Sequence, residues 1–222
     1  KIFIYSLHLY CIIILTTNIV VINFFNLNII NDFYSSFLKF MTDKIIITGG
    51  PGTGKSSLIK ALEANNFKCL NEISREITLK YRKKGIEQLF LSDPILFSEE
   101  LLKGRIEQYN SSSVSNNKHI FFDRGIPDIL AYLNFKKARI SNKFIKAINQ
   151  YRYDIVFLLE PWKKIYSSDV VRYESFDQVI SIDSYIKKTY NDYGYKIIVV
   201  PKDTIDNRVD FIINKLKQYQ NE

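Results

Sequence analysis

The sequence predicts an α/β domain with a five-stranded parallel sheet and helices on both faces, and three observations carry that expectation. From Lys44 onward, short apolar runs alternate with longer amphipathic stretches, the order produced by parallel strands joined by helical crossovers. The runs are continuously apolar rather than alternating, as in strands buried on both faces. A glycine-rich segment, Gly49 to Ser56, stands between the first run and the first helical pattern.

The strands are expected at Lys44 to Thr48 (KIIIT), Phe67 to Leu70 (FKCL), His119 to Asp123 (HIFFD), Asp154 to Leu159 (DIVFLL) and Lys196 to Val200 (KIIVV), each dominated by β-branched or aromatic residues. Helical patterns lie between and after them, near Lys55 to Asn65, Ile73 to Lys84, Pro94 to Ser111, Pro127 to Phe135, Asn142 to Tyr151, Asp177 to Tyr193 and Thr204 to Tyr219. Crossovers this long can close parallel pairs. The polar stretch Ser111 to Asn117 is expected as a surface turn. No second domain is visible after Met41.

Composition narrows the class further. The chain has 222 residues, 46% hydrophobic and 24% charged, enough for one good core. Two cysteines, Cys11 and Cys69, cannot build a disulfide framework or a thiolate zinc site, and they fit a reducing cytoplasm. The net charge of +8 is scattered rather than gathered; its densest run, Lys80 to Lys84, reads as a solvated helix face, and no nucleic-acid partner is expected.

The first forty residues are of another kind. From Ile2 to Asn31 there is no Asp, Glu, Lys or Arg, and 30 such residues are long enough to cross a bilayer. Against a transmembrane anchor stand Asn18, Asn23, Asn26 and Asn28, each costly in hydrocarbon. Residues 1–40 contain no Gly, Ala, Pro or Arg, and Ile, Asn, Lys, Phe, Tyr and Leu supply 30 of the 40, mostly residues with AT-rich codons. The only methionine, Met41, stands three residues before the first strand. Translation is therefore expected to begin at Met41, with 1–40 an upstream segment read in frame. The alternative is a membrane-anchored protein.

The segment Gly49-Gly50-Pro51-Gly52-Thr53-Gly54-Lys55-Ser56 satisfies G-x-x-x-x-G-K-[ST], and its strand-before, helix-after context is the one the motif requires. Glycines let backbone N–H groups converge on phosphate oxygens, and the following helix points its positive end at the same anion. Lys55 is expected to reach the β and γ phosphates, and Ser56 to offer a hard oxygen to Mg²⁺. Asp123-Arg124-Gly125, with Asp128, stands where the third strand runs out, the end at which open α/β sheets bind ligands. Asp123 can face Mg²⁺ or orient the attacking group, and Arg124 can neutralise phosphate charge. After the second strand, Glu72 and Arg75 are three apart and can share a helix face, with Glu72 placed to accept a proton from an acceptor hydroxyl. Glu160 to Glu174 reads as a lid that brings Arg172, and less directly Lys163 or Lys164, onto the transferring phosphate. Val200-Pro201 with Arg208 is a candidate wall for the base.

These blocks together resemble the small P-loop ATPase family AAA_28, whose members are similar to the ribosylnicotinamide kinase domain and, more remotely, to nucleoside and nucleotide kinases. The resemblance rests on IIITGGPGTGKSSLIKAL, NEISREI, FFDRGIPDILAYL, YDIVFLLEPW, DVVRYE, and GYKIIVVP with NRVDFI, and spans residues 44 to about 215. It implies a kinase-like P-loop NTPase fold of strand order 2-3-1-4-5, ATP and Mg²⁺ at Gly49 to Ser57, an acid–arginine pair at Asp123 and Arg124, and a lid arginine at Arg172. In deoxynucleoside kinases a Glu after the second strand serves as base and an acid-Arg-Ser motif follows the third. Here Asp123 replaces the usual acid and Gly125 the Ser, so whether Asp123 is base or metal partner stays open, as does Glu72 against Asp123 as base. The absence of an N-K-x-D block after the fourth strand favours ATP over GTP. No sensor segment is found, and a ring-forming AAA+ motor is not expected.

Two functions are carried forward. The first is a Mg-dependent phosphotransferase moving the γ-phosphoryl group of ATP to a small hydroxylated, nucleoside-like acceptor, with Asp128, Glu72 and Arg75 on the substrate side. The second is a partner-controlled ATPase or nucleotide switch that reports to another protein.

Overall fold

The structure is a computed structural model that describes residues 42–112, 117–166 and 174–219. Residues 1–40, the middle of the polar turn after Ser112, and the lid segment holding Arg172 lie outside the described residues. Five strands form one sheet: β1 (Asp43–Thr48), β2 (Lys68–Leu70), β3 (His119–Asp123), β4 (Ile155–Leu158) and β5 (Ile197–Val199). Every neighbouring pair is parallel and the order is β2-β3-β1-β4-β5, as the resemblance implied. The helices are α1 (Lys55–Ala64), α2 (Ser74–Arg82), α3 (Leu89–Ser92), α4 (Pro94–Ser112), α5 (Ile126–Phe135), α6 (Asn142–Gln150), α7 (Phe176–Asp192) and α8 (Ile205–Tyr219). The single-turn α3 was not anticipated; its run LFLS is too short to show a helical period.

Alternate residues along each strand enter different cores, which is why the strands read as unbroken apolar runs. Ile46, Ile120, Phe122, Val156 and Leu158 face one cluster with the buried side chains of α2 to α7. Ile45, Ile47, Phe121, Ile155 and Phe157 face the other, covered by Leu58, Ile59 and Leu62 of α1 and Val209, Ile212 and Leu216 of α8. Helix α8 shows how local sequence decides placement: its apolar positions recur at i, i+3 and i+7, one stripe on a helix.

The Lys80 to Lys84 run is a solvated face. Lys80 pairs with Glu100 at 2.6 Å and Lys84 lies over the Tyr81 ring. Among the described residues no helix is long and apolar enough to cross a membrane.

Cys69 of β2 is buried in the second core. Burial, then the charges of Glu63 and Asp123, push its thiol up to about 12. Since the thiolate is the nucleophile, Cys69 is expected to resist iodoacetamide at pH 8 in the folded chain and to react fully in denaturant. Mass mapping of the Cys69 peptide checks this, and rapid native labelling would contradict the buried placement of β2.

Candidate functional site

The site forms where the centre of the sheet ends. Register sets Ile47 of β1 beside Asp123 of β3, so the glycine loop after β1 and the Asp123-Arg124 turn after β3 emerge side by side. The loop needs glycine at its entry. Gly49 has φ 142, and a Cβ there would lie 2.3 Å from the Leu159 carbonyl oxygen, a conformation and an approach only glycine permits. The loop closes on itself through Thr53, whose hydroxyl donates to the Gly50 carbonyl at 3.0 Å. Helix α1 begins at Lys55 with Gly54 as its left-handed cap, leaving its first amides without an intrahelical partner.

Lys55 is buried and folds over the loop entry. Its Nζ donates to the carbonyls of Gly49 at 2.9 Å and Gly50 at 2.6 Å. Burial, with Arg124 adding to it, lowers the ammonium to about 7 against the opposing pull of Asp123, Glu72 and Asp128. Ser56 and Ser57 are exposed at the start of α1. Asp123 is 6% exposed at the floor, and its Oδ1 is buried without a hydrogen-bond partner. Burial and the nearby Glu72 charge raise its carboxyl above the usual range, against Lys55, Arg124 and Arg105.

Arg124 is the hub. Its backbone sits in the left-handed region at φ 73, a costly conformation for a residue with a Cβ, and its amide donates to the Ile47 carbonyl at 3.0 Å. From there the guanidinium reaches three ways: Nε to Glu72 Oε2 at 2.6 Å, Nη1 to the Gly49 carbonyl at 3.0 Å, and Nη1 to Asp128 Oδ1 at 3.3 Å. The Tyr132 ring lies beneath it at 5.3 Å. Gly125 follows, packed against the core: a Cβ there would stand 2.3 Å from Ile46 Cδ1, so a larger residue would have to displace the end of that side chain.

The sequence profile of family AAA_28, described as an AAA domain, matches residues 44–208. The chain belongs to the AAA_28 family. No curated protein matches it. Among solved structures, the deoxyadenosine kinase from M. mycoides with dCMP and dCDP bound is 20% identical, with a TM-score of 0.59 over 79% of this chain and 99% of that one. The NadR protein in complex with NR is 17% identical, with a TM-score of 0.63 over 84% of this chain and 54% of that one. The thymidylate kinase from Candida albicans is 16% identical, with a TM-score of 0.58 over 81% of this chain and 93% of that one. At these identities the likeness is one of fold, that of P-loop kinases.

Within this AAA_28 chain the expected residues separate into two groups. Lys55, Glu72, Asp123, Arg124 and Asp128 converge on the loop formed by Gly49 to Gly54. The Glu72 and Arg75 pairing does not form: α2 begins at Ser74, so Glu72 precedes the helix and turns inward, while Arg75 is exposed on the first turn. Asp128 is 1% exposed and both its oxygens are taken by protein donors, so it braces the site from within the core rather than facing a substrate. Of the expected lid segment, residues 160–166 and 174 are described. A Cβ at Gly52 would lie 3.0 Å from the Tyr166 ring, and one at Gly54 would lie 3.2 Å from Ile165, so the start of that segment packs against the loop.

Sequence reasoning missed Arg105, Thr48 and Tyr190. Arg105 is 3% exposed and donates to the Gly125 carbonyl at 2.5 Å and to Glu72 Oε1 at 3.3 Å. It continues the stripe of Phe97 and Leu101 at four-residue spacing, and a cation on such a stripe is the signal that was available. Thr48 and Tyr190 donate to Asp128 at 2.5 and 2.6 Å; Thr48 ends an apolar strand and Tyr190 continues the helix stripe of Ile182 and Ile186, so each reads as ordinary core.

Proposed function

We propose that this chain is an ATP-dependent phosphotransferase acting on a small, nucleoside-like hydroxyl compound. One observation carries the reading: Arg124 bonds both the Gly49 carbonyl of the phosphate loop and the carboxylate of Glu72. An anion cradle joined by one arginine to a partly exposed acid has the parts of a group-transfer site and not merely of a nucleotide holder. The fold likeness to a deoxyadenosine kinase, to NadR with NR and to a thymidylate kinase supports the acceptor class.

The roles divide by depth. Glu72, with 18% of its side chain exposed, lies toward the mouth and accepts the proton of the acceptor hydroxyl as that oxygen attacks the γ-phosphorus. The bond to the bridging oxygen breaks and ADP leaves with the electron pair. Asp123, at the floor with Oδ1 unpartnered, and the Ser56 hydroxyl suit a Mg²⁺ ion, which takes hard oxygen ligands and keeps several waters. When bound, the ion would supply charge neutralisation for the phosphates. Lys55, Arg124 and the lid's Arg172 stabilise the charge of the transferring group.

The test is ADP formation by residues 41–222 with Mg²⁺ and ATP, with and without a panel of nucleosides, using Lys55→Ala as blank. Stimulation by one compound supports the kinase and names its acceptor. Slow turnover indifferent to the panel transfers the reading to a partner-controlled ATPase.

Lys55 adds a pH signature. Free of ligand, its amine at about 7 is mostly neutral at pH 8, while a phosphate beside it restores the proton. Binding therefore takes up protons, and ADP affinity is expected to fall by up to about tenfold per pH unit above pH 7. Dissociation constants between pH 7 and 9 check this. Lys55→Arg, charged throughout, should flatten the profile, and an equal slope in both chains would count against it.

A further inference from the structure

Arg208 is a buried cation that the site above does not use. It stands in the first turns of α8, ahead of the core stripe Val209, Ile212 and Leu216, and is 3% exposed. Its Nε and Nη1 are buried, and among the described residues nothing pairs with them. The guanidinium lies over the Trp162 ring at 4.9 Å. Its Nη1 is aimed at the phosphate loop: a Cβ on Gly54, the cap of α1, would stand 3.0 Å from it.

An unpaired guanidinium held out of water is destabilising by itself. Burial lowers its proton affinity and only Asp203 pulls the other way, so no acid pairs with it as Glu72 pairs with Arg124. The position instead suits an anion that arrives. Arg124 touches the loop at Gly49, the end where Glu72 and Asp123 gather; Arg208 touches it at Gly54, beside the first turn of α1 with Ser56 and Ser57. The unpaired donors thus point to the side of the loop away from the acceptor acid.

We infer that Arg208, backed by the Trp162 ring, is a phosphate-binding residue of the donor site, contacting the phosphate that stays with the nucleoside rather than the one transferred. This rests on the phosphotransferase reading only for the ligand, and makes Arg208 a residue of nucleotide loading. Planar guanidinium donors against phosphate oxygens and an aromatic face behind them are both favourable for arginine. The same pairing makes Trp162, the chain's single tryptophan, a reporter of loading.

Equilibrium binding of ATP, ADP and inorganic tripolyphosphate to the full chain, followed by Trp162 fluorescence and by calorimetry, tests the inference in the unmodified chain and in Arg208→Gln. All three ligands are expected to bind about 10- to 100-fold more weakly to the variant, with its melting temperature unchanged or raised. Equal affinity in both chains overturns the inference, and so does a loss confined to ATP and ADP, because that pattern belongs to a base contact. If Arg208→Gln melts below the assay temperature, Arg208→Lys carries the test: weaker binding of all three ligands than in the unmodified chain supports the fork of guanidinium donors, and native affinity overturns it. An unmodified chain that binds none of the three removes the phosphotransferase reading itself. A chain that binds all three, with Arg208→Gln as its equal, removes this inference alone.

Discussion

Replacing Glu72 by Gln is expected to slow acceptor-stimulated ADP formation by about 10²- to 10⁴-fold while leaving ATP affinity close to that of the unmodified chain. The substitution keeps the shape of the side chain and removes its capacity to take a proton. ATP affinity is spared because Glu72 contacts Arg124 and Arg105 rather than the loop, and Arg124 keeps Asp128 and the Gly49 carbonyl as partners. Asp123→Asn separates the two acids. If Asp123 faces Mg²⁺, its variant needs more of the ion to reach half-maximal rate, whereas added Mg²⁺ does not rescue Glu72→Gln. Full activity in Glu72→Gln, together with a rate loss in Asp123→Asn that Mg²⁺ does not relieve, would exchange their roles.

The parts of this site that were legible in the sequence are those that repeat a local chemical rule. The loop Gly49 to Ser56 declares itself because only glycine tolerates its backbone angles and only a helix N-terminus follows. Asp123 and Arg124 were legible because the apolar strand run Ile120 to Phe122 ends in two charges. Glu72 was singled out but set on the wrong element, since three-residue spacing to Arg75 suggested a shared helix face. The helix starts at Ser74, and two arginines from α4 and the β3 turn draw Glu72 inward instead. Such a preference comes from residues 33 and 52 positions away, and no local window contains it. Thr48, Arg105 and Tyr190 were hidden for the same reason: each is a polar member of a strand end or a helix stripe whose partner is distant in the chain.

Two of those hidden residues, Thr48 and Tyr190, meet at Asp128, and removing it is expected to have the largest effect on stability. Four donors end on its carboxylate: the Thr48 hydroxyl at 2.5 Å, the Tyr190 hydroxyl at 2.6 Å, the Gly125 amide at 2.9 Å and Arg124 Nη1 at 3.3 Å. In Asp128→Ala the two hydroxyls and the Gly125 amide lose this acceptor inside the core, and Arg124, left with the Gly49 carbonyl and Glu72, keeps its charge with one carboxylate fewer. Breaking a buried pair in this way costs about 3–5 kcal/mol, a large part of the roughly 5–15 kcal/mol that holds a domain folded. For a chain of this size the melting temperature should drop by about 6–20 °C. Asp128→Asn should be little better, because its amide N–H₂ would face one of the hydroxyl donors. The sign of the pH dependence follows from the same contacts. Burial alone would raise Asp128, but Arg124, Arg105 and the two hydroxyls outweigh it and hold the carboxyl below the ordinary 3.8. Its contribution is therefore fully present above the unfolded value near 3.8 and is lost only as pH falls through the lower folded value. Urea unfolding of the unmodified and Asp128→Ala chains should differ by the full amount at pH 7 and converge in strong acid. Equal stability at pH 7 would mean that Thr48, Tyr190 and Arg124 find other partners, and that the floor of the site does not depend on this carboxylate.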